Sequence, residues 1–395
     1  MNFSKEIEQN RTHSYTLTFG RSHGGKQVDI ELKQHSFLFG CNGFTLLDGD
    51  AVYARHFEDV FNAATLPFYW GRYEPVEGQT NEAAIRKAAQ WCRDRNITVK
   101  GHPLTWHTVC ADWLLEYDTP TIYRKQMDRI TRDVGAFAGL IDMWDVINEV
   151  VILPRFDRYD NAVSRLAQEY GAEKLTIDCF KRARETNPEA TLLLNDFNHS
   201  PKYEHLIESL LDKGCPIDVI GIQTHQHQGY HGVEYMQDVL ERFSRFGLPL
   251  HFTEVTILSG DLAPAHLDDL NDAARDEWPS TEEGESRQLQ QVTEFYSQLY
   301  AHPQVESIVW WDMTDGNWLN APSGLVRRDS TTKPAYAKLQ ELTSREWGYP
   351  RRQHTLNENG HLTINGPEGR YSCWINGQEI EIELNKQRRN IVVTM

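Results

Sequence analysis

Glu149 and Glu254 close two stretches of the same build, Met143-Trp144-Asp145-Val146-Ile147-Asn148-Glu149 and Leu250-His251-Phe252-Thr253-Glu254. Each is a mostly apolar run ending in a carboxyl group, which reads as a buried strand that delivers an acid to a site. One such glutamate alone would ordinarily begin a solvated loop. Two of them, with Asn148 beside the first and aromatic-rich strands elsewhere, point to two carboxyl groups facing each other across one cleft. Acids held that close cannot both ionise easily, so one keeps its proton while the other stays bare.

The elements that must carry this pair alternate along the chain. Strands are expected at Phe37 to Asn42, Val60 to Leu66, Thr98 to His102, Asp142 to Glu149, Thr191 to Asn195, Val219 to His225, Leu250 to Glu254 and Ser307 to Asp312. Between them fall segments of helical period, the clearest at Glu82 to Arg95, Thr121 to Phe137, Lys174 to Glu185, Tyr203 to Asp212, Val233 to Phe246 and Glu283 to Tyr300. That makes eight βα units, the number that closes a (β/α)8 TIM barrel. Residues able to do chemistry, among them His102, Glu149, Asn195, His225, Glu254 and Asp312, gather at the strand ends, where such barrels carry their sites. Long loops after the third, seventh and eighth strands would wall the cleft.

The chain of 395 residues is long for one ordinary domain. Three parts are expected: a β-hairpin extension over 1–35, the barrel over 36–347 and a small β module over 348–395. The last part has two Asn-Gly pairs, Asn365-Gly366 and Asn376-Gly377, flanked by alternating stretches, and should hold three or four strands. So small a sheet is marginal alone. The N-terminal hairpin, Tyr15 to Leu32 around Gly24-Gly25, is therefore expected to join it, after a polar and frayed start. Within the module, Tyr371 and Trp374 are read as packing residues.

A formal charge of −17 without runs of Lys or Arg argues against a nucleic-acid partner. Aromatic residues make up 11%, eleven of them Trp, and flat rings with polar edges suit sugar rings. No apolar run reaches the roughly 18 to 20 residues that would span a bilayer. The first thirteen residues lack the apolar centre of a signal peptide, so the protein is either cytoplasmic or begins after a removed signal. Six scattered cysteines show no metal-like spacing. His225-Gln226-His227 with His231 lies on one loop without a carboxylate partner, so neither a metal nor a cofactor is expected.

In this order, Gly101-His102-Pro103-Leu104-Thr105-Trp106-His107, Trp144 to Glu149, Leu193 to Asn198, Gly221-Ile222-Gln223-Thr224-His225, Phe252-Thr253-Glu254 and Trp311 to Asp315 resemble glycoside hydrolase family 10, the retaining endo-β-1,4-xylanases. Weaker support comes from Phe61-Asn62, Glu74-Pro75 and Lys333-Pro334-Ala335-Tyr336. The resemblance implies a carbohydrate substrate, with Glu149 as acid/base and Glu254 as nucleophile. It assigns Asn148 to the sugar 2-hydroxyl, Gln223 and His225 to orienting Glu254, and His102 and Trp106 to the sugar bound just before the scissile bond. Trp318 and one of Trp310 and Trp311 would form an aromatic wall. Neighbours on a strand face opposite ways, and Trp311 is preferred.

Two departures stand out. After Phe-Asn-x-x-Thr the family continues with Glu-Asn and a Lys that grip sugars on the non-reducing side, whereas this chain reads Leu66-Pro67-Phe68-Tyr69-Trp70-Gly71-Arg72. Arg72 is expected to replace that Lys in part. The Asp two residues after the family's nucleophile is Thr256 here. The reacting pair is thus intact while the subsites for the glycone are rebuilt, which disfavours plain xylan. A β-glycosidase with another glycone, its cleft narrowed by Phe68-Tyr69-Trp70, and a barrel that binds carbohydrate without cleaving it are the alternatives.

Overall fold

The computed structural model describes residues 2–394. Eight parallel strands close a barrel in chain order: Leu38–Asn42, Ala63–Pro67, Thr98–His102, Met143–Asn148, Thr191–Asp196, Val219–Gln226, Leu250–Ile257 and Val305–Trp310, the last pairing back onto the first. They are called the first to eighth barrel strands below. They are buried almost throughout, which is why they read as continuous apolar runs rather than alternating ones. The expected helices cover the outside, for example Glu82–Arg93, Thr119–Phe137 and Glu282–Ala301. Their starts are written in the sequence: Asp118 accepts a hydrogen bond from the Thr121 amide with Pro120 in the first turn, and Thr281 accepts one from Gly284.

Both strands that lead to a glutamate are irregular. The pairing of the fourth strand with the fifth slips between Asp145 and Ile147. The pairing of the sixth strand with the seventh slips between Ile222 and Gln223, which puts Gln223 opposite Glu254. Such slips re-aim the side chains that follow them. Glu149 itself sits at φ 59, a left-handed backbone conformation that costs a non-glycine residue energy and that is met most often at working sites.

The two ends of the chain do meet, but not as expected. Tyr15 to Leu32 is no hairpin: strand His13–Thr18 joins a three-stranded sheet with His361–Gly366 and Asn390–Val392. Strand Gln27–His35 joins a four-stranded sheet with Arg352–Thr355, Gly369–Ile375 and Gln378–Leu384. The Gly24-Gly25 turn bonds to the C-terminal part instead, with Phe19 donating to the Gly360 carbonyl and Gly25 to that of Leu356. Among the described residues the C-terminal part thus gives five strands rather than three or four. One apolar cluster, including Tyr15, Leu17, Val28, Ile30, Ile364, Tyr371 and Ile391, is shared by both sheets.

Asn376-Gly377 makes the tight turn that its composition predicts, both residues at positive φ. Asn365-Gly366 does not turn; it ends a strand, and Gly366 lies where a Cβ would stand 2.6 Å from the Tyr371 hydroxyl. Tyr371 is buried, and Trp374 carries Arg351 and Lys33 over its ring. The start is not frayed either. Ser4–Arg11 is a helix whose Arg11 donates to the carbonyls of Tyr300, His302 and Val305, next to the eighth strand. Among the described residues no helix is long and apolar enough to cross a membrane.

Candidate active site

Glu149 and Glu254 emerge at the same end of the barrel, both largely buried, with side chains 14% and 5% exposed. Amide side chains link them. Asn195, at the end of the fifth strand, donates to Glu254 Oε1 at 2.9 Å and to Asn148 Oδ1 at 2.8 Å. Asn148 in turn donates to Glu149 Oε1 at 3.2 Å. Gln223, expected beside Glu254, reaches the other acid: it donates to Glu149 Oε1 at 3.3 Å and to Asn148 Oδ1 at 3.2 Å. Gln223 thus pairs opposite Glu254 across the slip yet turns its amide to Glu149, a direction that residue spacing alone does not show.

Partners differ sharply between the two acids. Trp106 donates its ring N–H to Glu149 Oε2 at 2.9 Å, and His107 stands 3.9 Å away. Burial pushes Glu149 up to about 8, with the charge of Glu254 adding to it. Burial would also raise Glu254. The hydrogen bond with His225 Nε2 at 3.1 Å and the positive charge available from His102, His225 and Lys100 outweigh that, so Glu254 is held below its ordinary value. One acid is therefore protonated near neutrality while its neighbour is ionised. Such a pair can give a proton to one atom and attack another.

Beneath Glu254 lies a buried charged cluster. The Lys100 ammonium contacts Asp145 Oδ2 at 2.6 Å, and His102 Nδ1 lies 2.7 Å from the same oxygen. His102 Nε2 is 4.0 Å from Glu254 Oε1. Sequence reading missed Lys100, although it precedes the Gly101-His102 pair; a lysine inside a buried strand is unusual unless it is paired. Thr256 takes the place next to His225, its hydroxyl 3.3 Å from His225 Nδ1 and 3.2 Å from His227 Nδ1.

Trp311 faces the site, 5.3 Å from the His102 ring and 6.0 Å from His225. Trp310 faces away into the core, donating to the Ser323 carbonyl. Trp318 packs on His225 at 4.5 Å and on His227 at 5.0 Å. The other histidine of that run, His231, turns to Tyr235. Strand-end Asp312 is not at the pair; it accepts from Ser323. Of the segment Phe68-Tyr69-Trp70, only the middle residue reaches the site. Phe68 packs on Trp144 and Phe137, and Trp70 donates to Glu74 Oε2. Arg72 is exposed, its guanidinium 5.9 Å from the Tyr69 ring, and lines a cavity of about 310 Å³ with Pro75, Val109, Asp112 and Tyr159.

The sequence profile of glycosyl hydrolase family 10 matches residues 35–342, the whole barrel. The chain belongs to that family. It is 30% identical over 231 residues to endo-1,4-beta-xylanase B of Thermotoga neapolitana, a match covering 55% of this chain and 64% of that one. It is 29% identical over 204 residues to endo-1,4-beta-xylanase A of Caldicellulosiruptor sp. (strain Rt8B.4), covering 47% of this chain and 29% of the relative. This family 10 chain thus spans less than two thirds of either relative. Its fold matches that of a family 10 protein from Paenibacillus barcinonensis with a TM-score of 0.67 at 23% identity, over 78% of this chain and 95% of the other.

Proposed function

We propose that the protein is a retaining β-glycoside hydrolase acting on β-1,4-linked xylose-type or related plant oligo- and polysaccharides. What carries this reading is the unequal pair: two buried glutamates joined through Asn148 and Asn195, one holding a proton and the other bare. Retention by double displacement needs that division of labour. The Glu254 carboxylate attacks the anomeric carbon as the bond to the leaving oxygen breaks, and the electron pair of that bond takes the proton of Glu149. In the second step Glu149, now a base, removes a proton from water. The water oxygen bonds to the anomeric carbon and Glu254 leaves, so both acids return to their first state.

The remaining residues take supporting parts. Asn148, held by Asn195 and Gln223, presents its amide to the sugar 2-hydroxyl. His225 holds Glu254 from the far side and His102 from below. Trp106, Trp311 and Trp318 offer flat faces and edges to sugar rings. A second reading, a glycone other than xylan's, is favoured by Tyr69 standing where the family has polar grips.

The test uses an aryl β-glycoside panel, xylosides and glucosides, with leaving groups that need protonation and ones that do not. Glu254→Ala should lose turnover on all of them. Glu149→Ala should lose about 10² to 10⁴-fold on the former, keep the first step on the latter and recover partly with azide. Equal losses for both variants on the activated substrate would overturn the roles, and no turnover by the unaltered protein would favour a binding barrel.

A further inference from the structure

The pair divides the ring of strands unequally. Glu149 follows the fourth strand and Glu254 lies on the seventh, so the fifth and sixth strands stand on one side, and the eighth, first, second and third on the other. A carbohydrate held across the two acids has one sugar on each side. On the first side a large apolar residue is exposed. Asn195 and Asp196 end the fifth strand, and the next residue, Phe197, is 47% exposed.

On the opposite side rings touch in a closed cycle. Tyr69 meets Phe44 at 5.7 Å, Phe44 meets Trp311 at 5.6 Å, Trp311 meets His102 at 5.3 Å, and His102 meets Tyr69 at 5.5 Å, all edge to face. Trp106 lies 5.5 Å from Tyr69. Rings at these separations are in contact, and a sugar cannot pass between them. Tyr69 is only 8% exposed. It is also anchored on both sides. Phe68 is packed in the core, its amide bonded to the His102 carbonyl, while buried Arg129 donates to the carbonyls of Phe68 and Leu104. Trp70 is fixed through Glu74. The backbone that carries the ring is therefore fixed on both sides. Its hydroxyl is held well above the ordinary tyrosine value by burial, with Glu254 and Glu149 adding to the shift, which agrees with its facing the acids.

We propose that Tyr69 ends the groove one sugar beyond the reacting carbon, so that the substrate presents a single unextended β-linked sugar at its non-reducing end, removed one unit at a time. This rests on the hydrolase reading above and on the family resemblance that puts the glycone at the loop after the second strand. The longer part of the substrate then lies past Glu149, over Phe197. A chain threaded through an open groove, as cleavage at internal bonds requires, has no path past the ring cycle.

The intact protein is assayed on aryl β-xyloside, aryl β-xylobioside and reducing-end-labelled xylohexaose, with the matching mono- and disaccharide pair of whichever sugar is turned over fastest. The expected result is kcat/KM for the monosaccharide glycoside at or above that for the disaccharide, and stepwise shortening of the labelled oligomer from its non-reducing end. Tyr69→Ala should shift that ratio toward the disaccharide by about tenfold or more and yield internal cuts, while Tyr69→Phe should keep the original ratio. Preference of the unaltered protein for the disaccharide, internal cuts as its first products, or a ratio unmoved in Tyr69→Ala would overturn the proposal alone. Absence of turnover on every glycoside would remove the hydrolase reading and this one together. The product pattern of the unaltered protein decides the matter even if Tyr69→Ala does not fold.

Discussion

Two halves of one site are built from different material. From the fourth strand to the seventh, polar side chains bond to one another: Asn148, Asn195, Gln223 and His225 each hold a carboxyl group or a residue that does. From the eighth strand round to the third, rings pack on rings. The first half fixes charges and protons, which any substrate of this reaction needs. The second half fixes shape, which selects among substrates. On the proposed reaction, rebuilding the second half while the first keeps its two acids would change what is cleaved more than how. The larger departure in this chain, Leu66 to Arg72, lies in the second half, and the smaller, Thr256, stands beside His225 in the first.

The contrast can be broken most strongly at Asn195. Removing its amide in Asn195→Ala takes the amide donor from Glu254 Oε1 and leaves Asn148 Oδ1 with Gln223 alone. Hydrogen bonds to charged groups contribute about 1.5–3 kcal/mol, so kcat/KM should fall about 10- to 100-fold on mono- and disaccharide glycosides alike. A loss confined to one of them would mean that the polar half also selects.

A smaller effect is expected from pH and Thr256. The proposed reaction needs Glu149 protonated and Glu254 ionised, so kcat/KM should fall as pH rises through about 8 and again as it drops through the lowered value of Glu254. Thr256→Val takes the hydroxyl from His225 Nδ1 and loosens the ring that holds Glu254 down. The acid limb should then move upward, by about half a unit to one unit, while the basic limb stays. Movement of the basic limb instead would tie Thr256 to Glu149. The smallest effect should come from Arg72→Ala. Its guanidinium lies against Tyr69 and lines a cavity that includes neither acid, so kcat/KM on the aryl xyloside should change less than about threefold. A loss of tenfold would return Arg72 to the position of sugar donor.

The barrel was legible because most of its strands read as apolar runs and seven of the eight expected ones end in something polar. The glutamates stood out for the same reason. Orientation was not legible. Gln223 pairs opposite Glu254 across a slip between the sixth and seventh strands yet bonds to Glu149, and residue type marks neither the slip nor that direction. Alternation along a strand said that only one of Trp310 and Trp311 could face the site, and the preference for Trp311 came from the family motif rather than from the strand. Tyr69 was visible only as part of an aromatic segment; that its neighbours turn into the core depends on Trp144, Phe137 and Glu74, distant in sequence. The supposed N-terminal hairpin failed because alternation and a Gly-rich turn describe two strands equally well whether they pair with each other or with partners far along the chain.

Strand His13–Thr18 runs parallel to Asn390–Val392, pairing Thr16 with Asn390. Contacts between residues so far apart in the chain form late and slowly, because the intervening polypeptide must first be drawn in. The double-sheet module can therefore close only once Asn390–Val392 has left the ribosome. Until then Tyr15 and Leu17 wait, uncovered, for partners that a finished barrel brings within reach.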